Sequence, residues 1–307
     1  MTIENLLDKL DEAETEQEIY EIGQEILSID PNSPYGKLAT WEGMPADESM
    51  DNLDMLKDAL DSIRAIVDAK DNPPVIEDDR DAQVYCTVMM NLGYSLLSKG
   101  DMDDALEVAR EFANFDDEGF FPSRTLLYRC MLDMGMYNDI LTTLEADPQE
   151  SIVGEYARVI SLLETDADEG EVRDALNYAI SLAPDIPFFI LNIWEFPEDN
   201  EEIDEETEDV ITYATYLIEP WTANDERIAL LSAPVFLFGL LTGRLDDEKE
   251  IEVLKEGYEA AELLAEVEAA QQKIEEMGEE GRPLEEIDSY ALGYAAEIVE
   301  KLFAKKD

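Results

Sequence analysis

Apolar residues recur at three- and four-residue steps along most of the chain, which is the spacing of an amphipathic helix. This pattern predicts helices over residues 3 to 12, 15 to 29 and 51 to 69. Asp30-Pro31-Asn32 ends the second of them, and Asn72-Pro73-Pro74 ends the third. The alternation typical of strands is scarce, so the hydrophobic pattern predicts an all-α fold.

From about residue 82 the chain repeats itself with a period of 35 residues, which Gly100, Gly135 and Gly170 mark most clearly. Four further columns of small or apolar residues keep the same period through three copies. They are Leu92, Leu127 and Leu162; Met102, Tyr137 and Val172; Ala105, Ile140 and Ala175; and Ala109, Leu144 and Ala179. Each glycine is expected to reverse the chain between two helices. Such hairpins bury their apolar faces by stacking, so we expect a helical-hairpin solenoid with extra N- and C-terminal helices.

The repeats define four predicted segments. Residues 1–80 hold N-terminal helices, 81–190 the repeat core, 191–246 an aromatic and acidic connector with helices, and 247–307 a long C-terminal helical hairpin. In that hairpin, residues 247 to 277 are predicted as one helix and residues 284 to 305 as the last, which ends at Lys305-Lys306.

The connector has three notable parts. The aromatic run at 188–196 is interpreted either as a ligand pocket or as a core hinge, and the acid-rich stretch 198–209 as a loop that enters a helix. The apolar run from Ile228 to Leu241 contains Pro234 and is too short to span a bilayer, which predicts a buried helix or two half-helices.

The charge is strongly one-sided, with 77 Asp and Glu against 21 Lys and Arg and a net charge of −56. Such a field disfavours nucleic acid and anionic membranes and attracts basic proteins. It is open to two readings: a solubility trait shared with other proteins of the organism, or a decoy for a nucleic-acid-binding protein.

The chain has no histidine and two cysteines, which removes imidazole catalysis and thiolate zinc sites. The cysteines are predicted to be buried and reduced. The acidic start of the chain differs from a secretory signal, so a cytoplasmic location is expected.

The repeat columns resemble the tetratricopeptide pattern, most clearly over Asn91 to Phe112. Residues 82 to 231 are also similar to a bacterial subfamily related to the suppressor-of-tumorigenicity-7 proteins, with a Tyr213-Ala214 pair, Trp221 and an Ala-Leu-Leu end at 229–231. Some relatives there carry a Cys- and His-rich metal-binding tail, which this chain lacks. The resemblance implies protein binding.

In a tetratricopeptide domain the groove is lined by the first helix of each repeat. In register, this face would include Met90, Tyr94, Arg129, Asp133 and Glu164. The same residues could instead pack against neighbouring helices. Arg129 could hold a peptide carboxylate or pair with a nearby acid.

No catalytic pattern stands out from the abundant acids, and neither GxxxxGK[ST] nor GxGxxG occurs. Asp166 to Gly170 lacks the ligand spacing of a calcium loop and is interpreted as the repeat turn. We therefore expect no catalytic residue, no cofactor and no metal. The leading hypothesis is a non-enzymatic scaffold that binds a peptide or basic protein. The alternatives are an acidic nucleic-acid mimic and, third, a metal-dependent hydrolase with Asp or Glu ligands.

Overall fold

The computed structural model describes residues 2–147, 149–197 and 203–304. All regular secondary structure in these ranges is helical, as the hydrophobic spacing predicted. The helices are α1 (Ile3–Leu10), α2 (Glu16–Ile29), α3 (Pro34–Glu42), α4 (Ala46–Asp51), α5 (Leu53–Asp68), α6 (Arg80–Lys99), α7 (Met102–Phe115), α8 (Ser123–Asp133), α9 (Tyr137–Ala146), α10 (Ile152–Glu164), α11 (Glu169–Leu182), α12 (Ile186–Ile190), α13 (Glu205–Thr222), α14 (Asp225–Thr242), α15 (Glu248–Ala260), α16 (Leu264–Glu279) and α17 (Leu284–Ala304).

Contacts divide the chain into two compact units, Met1–Met134 and Gly135–Asp307. The first unit holds α1 to α8 and the second holds α9 to α17. The division falls inside the predicted repeat core, between the two helices of its second copy.

The three helices predicted near the N-terminus are present as α1, α2 and α5. Two of them begin at a threonine whose hydroxyl accepts a hydrogen bond from a backbone N–H three residues on: Thr2 caps α1 and Thr15 caps α2. Each cap satisfies a backbone donor that the first turn leaves without a helical partner. Their apolar stripes supply the buried residues Leu6, Ile26, Leu56 and Ile63.

Helix α3 was not predicted, although its start carries a recognisable signal. The Ser33 hydroxyl accepts from the Gly36 N–H, and Pro34 occupies the first turn, where its missing N–H costs nothing. Five of the nine residues of α3 are buried. Because burial extends around much of the helix, no single apolar stripe marks it in the sequence.

Helices α2 and α3 pack at unusually short range because glycines lie where they cross. A Cβ on Gly23 would stand 2.6 Å from the Thr40 backbone nitrogen, and a Cβ on Gly43 would stand 2.5 Å from that of Tyr20. Real Cβ atoms do not approach backbone this closely. This close crossing therefore requires glycine at both contact positions.

Two of the three repeat glycines adopt the predicted conformation. Gly100 and Gly135 have φ angles of 79° and 64°, in the left-handed region that favours glycine. The prediction for Gly170 is wrong, because it lies inside the first turn of α11. The left-handed residue between α10 and α11 is Asp166, with φ 55°, which Asp tolerates better than most residues with a Cβ.

The first part of the aromatic run in the second unit is buried, at Phe188, Phe189 and Ile190, whereas Phe196 is exposed. Phe188 stacks on Trp194 with ring centroids 4.8 Å apart and also contacts Phe238 on α14. The Trp194 indole donates to the Arg244 carbonyl at 3.1 Å. These contacts are those of core packing, and a hinge role for the run stays a prediction.

Two predictions of helix continuity have opposite outcomes. The apolar run from Ile228 to Leu241 lies in one helix, α14, despite Pro234, which is the first of the two predicted alternatives. The expectation of one helix over residues 247–277 is wrong, because the chain breaks between α15 and α16, where Glu262 has φ 57°.

The acid-rich stretch leads into a helix as expected. Asp204 caps α13 by accepting from the Thr207 N–H at 2.8 Å. Residues 198–202 of that stretch, and Lys305-Lys306 at the end of the last helix, lie outside the described residues.

Candidate functional site

A cavity of about 250 Å³ lies in the first unit, on the side where α1, α3 and α6 meet. We call it the α1–α3–α6 groove. Its lining residues are Leu7, Leu10, Asp11, Tyr35, Leu38, Ala39, Glu42, Arg80, Gln83, Val84 and Thr87.

One face of α6 supplies the third side of this groove. Gln83 and Thr87 follow each other by four residues, and the same face continues to Met90 and Tyr94 by steps of three and four. Thr87, Met90 and Tyr94 are half-buried, whereas the opposite face of α6 lies in the core. This face of α6 is therefore more exposed to solvent than the core-facing side, although Thr87, Met90 and Tyr94 carry no charge.

Glu42 is the central acid of the groove. Its Oε1 accepts a hydrogen bond from Nδ2 of Asn91 on α6 at 3.0 Å. Among the described residues no cation pairs with this carboxylate. Burial raises the pKa of Glu42, and the hydrogen bond from Asn91, which acts in the opposite direction, does not cancel the effect.

The other ionisable groups of the groove have partners within the first unit. Arg80 forms an ion pair with Asp11 across α6 and α1. The Tyr35 hydroxyl donates to Asp81. Burial raises the pKa of Tyr35 most, and the hydrogen bond to Asp81 raises it further. Lys70 also pairs with Asp81, at 2.7 Å. These contacts hold the helices that frame the groove, and of its two carboxylates only Glu42 has no counter-ion within the described part of the chain.

The remaining walls are apolar. Leu7 and Leu10 of α1 face Leu38 and Ala39 of α3, with Val84 on α6 completing the lining. An apolar wall beside a half-buried carboxylate suits a ligand group with an aliphatic stem and a cationic end.

The predicted groove residues Met90 and Tyr94 lie on the α6 face described above, one to two turns beyond the cavity lining. Arg129 and Asp133 lie on α8 and pair with each other, Nε to Oδ2 at 2.9 Å. The Arg129 side chain is buried, with 9% of its surface exposed. The geometry therefore matches the alternative in which Arg129 pairs with a nearby acid rather than with a peptide carboxylate.

Glu164 belongs to the second unit. Its Oε1 accepts from Nε of Arg227 on α14 at 2.9 Å, and the Arg227 guanidinium also donates to the Tyr137 hydroxyl at 3.1 Å. Arg227 is 7% exposed. The role of Glu164 in this unit is to neutralise a buried arginine.

The two cysteines are buried, on α6 and α8. Burial raises the pKa of both Cys86 and Cys130 to about 12, so neither thiol ionises to a nucleophile near neutral pH. Within the described ranges, no group of three or more Cys, Asp or Glu side chains is arranged to hold a metal ion.

Sequence reasoning missed Glu42 because it missed α3. The available signal was the Ser33-Pro34 start of that helix, from which Tyr35, Leu38 and Glu42 follow at helical spacing. Glu42 is the last residue of α3, a helix with five buried residues. An acid in such a position is less common than an acid on the protein surface.

None of the helices in the described residues is both long enough and apolar enough to cross a membrane. Comparison of the chain with protein-family models, with curated proteins and with solved structures gave no match.

Proposed function

We propose that this chain is a non-enzymatic, tetratricopeptide-like scaffold that binds a basic peptide segment in the α1–α3–α6 groove. The observation that carries the proposal is the half-buried Glu42 carboxylate, which lies beside apolar walls of the groove and has no counter-ion among the described residues.

The order of the helices supports the repeat part of the proposal. The groove helices α1, α3 and α6 alternate along the chain with α2 and α5, which pack against them. Helical-hairpin repeats produce this alternation, because the first helix of each hairpin lies on one side of the stack and the second on the other. In the predicted columns, Leu92 of α6 and Ala105 and Ala109 of α7 are buried, as hairpin contacts require.

The charge of the chain supports a basic partner. A net charge of −56 attracts cationic segments over long range and repels phosphate backbones. Long-range attraction alone does not distinguish one acidic surface from another, and the groove supplies the local contacts that select a binding position.

A binding role also agrees with the chemistry that is present. The sequence has no histidine, and its two thiols are held protonated by burial. Arg129, Arg227 and the acids beside them are committed to ion pairs.

The proposal is tested with a fluorescently labelled peptide of alternating Leu and Lys, whose binding to the full chain is followed by anisotropy. Val84→Phe fills the groove without changing the charge. The matched control is Val253→Phe, on an α15 side chain that is 66% exposed. We expect Val84→Phe to weaken binding about ten-fold or more at about 0.15 M salt, where long-range attraction is screened, and Val253→Phe to leave it unchanged.

Equal affinity of the wild type and Val84→Phe would overturn the groove assignment. Binding would then reflect the acidic surface as a whole, as expected of a nucleic-acid mimic. Circular dichroism melting curves of both variants establish that each remains folded.

A further inference from the structure

We infer that Glu42 and Asn91 form a subsite for the side chain of a single lysine in the bound segment. This inference rests on the proposed function and adds to it the residue that the groove selects.

The Glu42 carboxylate is half-buried and has no counter-ion among the described residues. It accepts one hydrogen bond, from Asn91 at 3.0 Å, and its second oxygen accepts none among the described residues. Removing a carboxylate from water without a counter-ion is costly, and the cost is relieved when a cation completes the pair. A ligand ammonium that pairs with Glu42 would offset this desolvation cost, which the free protein does not offset.

The cations near the groove belong to other acids. Arg80 pairs with Asp11, and Lys70 pairs with Asp79 and Asp81. Lys37, on α3, lies 3.8 Å from the Asp58 carboxylate. The counter-ion for Glu42 must therefore come from outside the described chain.

The size of the cavity favours lysine over arginine, because the planar guanidinium fork of arginine is the bulkier head group. An ammonium group is a compact charge that needs one free oxygen.

The apolar walls fit the lysine stem. Leu7, Leu10 and Leu38 line the groove beside Glu42 and can cover the four methylene groups of a lysine while its charged end reaches the carboxylate. At about 250 Å³, the cavity is smaller than the range of about 300–1,000 Å³ typical of small-molecule sites. This size suits one side chain of a longer ligand.

The experiment follows the Asn91 side-chain amide of the isotope-labelled full chain by NMR during titration with N-acetyl-lysine amide. The matched ligands are N-acetyl-arginine amide and the neutral analogue in which the lysine side chain is acetylated. Glu42→Gln removes the charge and keeps the shape. Glu107→Gln removes one charge from an exposed site on α7, outside the groove.

We expect the lysine probe to shift the Asn91 amide in a saturable manner, with an affinity about ten-fold higher than that of the acetylated analogue. Glu42→Gln should abolish this preference and Glu107→Gln should retain it. The arginine probe should bind more weakly than the lysine probe.

Equal binding of the lysine probe to the wild type and to Glu42→Gln would overturn the inference, as would equal binding of the neutral analogue. Peptide binding that is sensitive to Val84→Phe but not to Glu42→Gln would leave the proposed function standing and remove the lysine subsite. Binding that neither Val84→Phe nor Glu42→Gln weakens would overturn the groove assignment itself. The failure of the lysine subsite and the failure of the proposed function are therefore distinguishable.

Discussion

The Arg64 guanidinium on α5 donates two parallel hydrogen bonds to the Glu111 carboxylate on α7, from Nε to Oε1 and from Nη2 to Oε2, each 2.8 Å long. The Tyr85 hydroxyl on α6 donates to the same carboxylate. Burial would raise the pKa of Glu111, but the hydrogen bonds from Arg64 and Tyr85 outweigh it and lower the pKa. One carboxylate thus connects three helices of the first unit.

Replacing this carboxylate should destabilise the fold modestly. Glu111→Gln should lower the free energy of unfolding by about 1 kcal/mol at pH 7, a value limited by solvent screening because about a third of each partner's side chain is exposed. Urea titration measures the change, with Glu107→Gln as the control for losing one negative charge. Equal stabilities of the two variants would contradict the structural role of the Arg64 contact.

The sign of the pH dependence follows from the lowered pKa of Glu111. The stability that the ionised group contributes is present above its unfolded pKa and is lost as the pH falls through the lowered folded pKa. The deficit of Glu111→Gln should therefore be complete at neutral pH and should disappear in strong acid.

Glu42 should behave in the opposite way. Because burial raises its pKa, the folded state favours the protonated form, and the associated stability is present below the unfolded pKa and lost as the pH rises through the folded pKa. Glu42→Gln should therefore stabilise the free protein at pH 7, on the order of 1 kcal/mol, by removing a half-buried charge without a counter-ion.

The measurement is the difference in unfolding free energy between Glu42→Gln and the wild type at pH 7 and pH 5. The gain should shrink at the lower pH. Asp11, Tyr35 and Arg80 are the other ionisable groups that line the groove, and they are present in both proteins. A variant less stable than the wild type at pH 7 would show that ionised Glu42 has a compensating contact.

The α2–α3 crossing should not accept a methyl group. Gly23→Ala places a Cβ against the Thr40 backbone and should cost about 1–3 kcal/mol. Gly257→Ala in α15 meets no atom within 4 Å and should stabilise its helix by about 0.4–1 kcal/mol. Thermal melts of the two variants give the comparison, and a neutral Gly23→Ala would mean that the crossing helices can move apart.

Replacing Arg244 should strongly destabilise the second unit. It donates to both oxygens of Asp288, at 2.7 and 2.8 Å, and to Asp185 at 2.7 Å, and its guanidinium lies 4.8 Å from the centre of the Phe238 ring. Arg244→Met leaves Asp288, which is 7% exposed, as a buried charge without this arginine. The expected cost is about 3–5 kcal/mol.

A double mutant distinguishes the loss of the Arg244–Asp288 ion pair from the cost of leaving Asp288 buried and charged. Adding Asp288→Asn to Arg244→Met should recover part of the loss, because the remaining partner becomes neutral. Chemical unfolding of the four proteins in this cycle gives the coupling. A double mutant no more stable than Arg244→Met would indicate that the cost comes from Asp185 or from lost packing.

The sequence predicted the helices whose apolar residues form one stripe and failed where burial or backbone conformation departs from that pattern. Helices α1, α2 and α5 follow the rule. Helix α3 does not, because it is buried around much of its surface. The break at Glu262 carries no glycine or proline, so its residue type does not indicate a left-handed backbone, and the aspartate at Asp166 indicates one only weakly.

The candidate site was predictable only in part. The repeat register placed Met90 and Tyr94 on the face of α6 that continues from Thr87, because a helical face follows from spacing alone, and their role in binding stays a prediction. Glu42 could not be singled out from 77 acidic residues, since its distinction is partial burial beside Asn91, which depends on the packing of α3 against α6. Arg129 and Glu164 were recognised as positions of interest, but their ion pairs depend on side-chain geometry.

The crossing of α2 and α3 also restricts how this chain can evolve. A side chain that obstructs a new residue can be exchanged for a smaller one, but Gly23 and Gly43 face backbone nitrogens, which no substitution removes. Any descendant that keeps this crossing must inherit both glycines, while most of its surface acids can be exchanged one by one. The two glycines therefore restrict sequence change in this part of the chain more than its surface acids do.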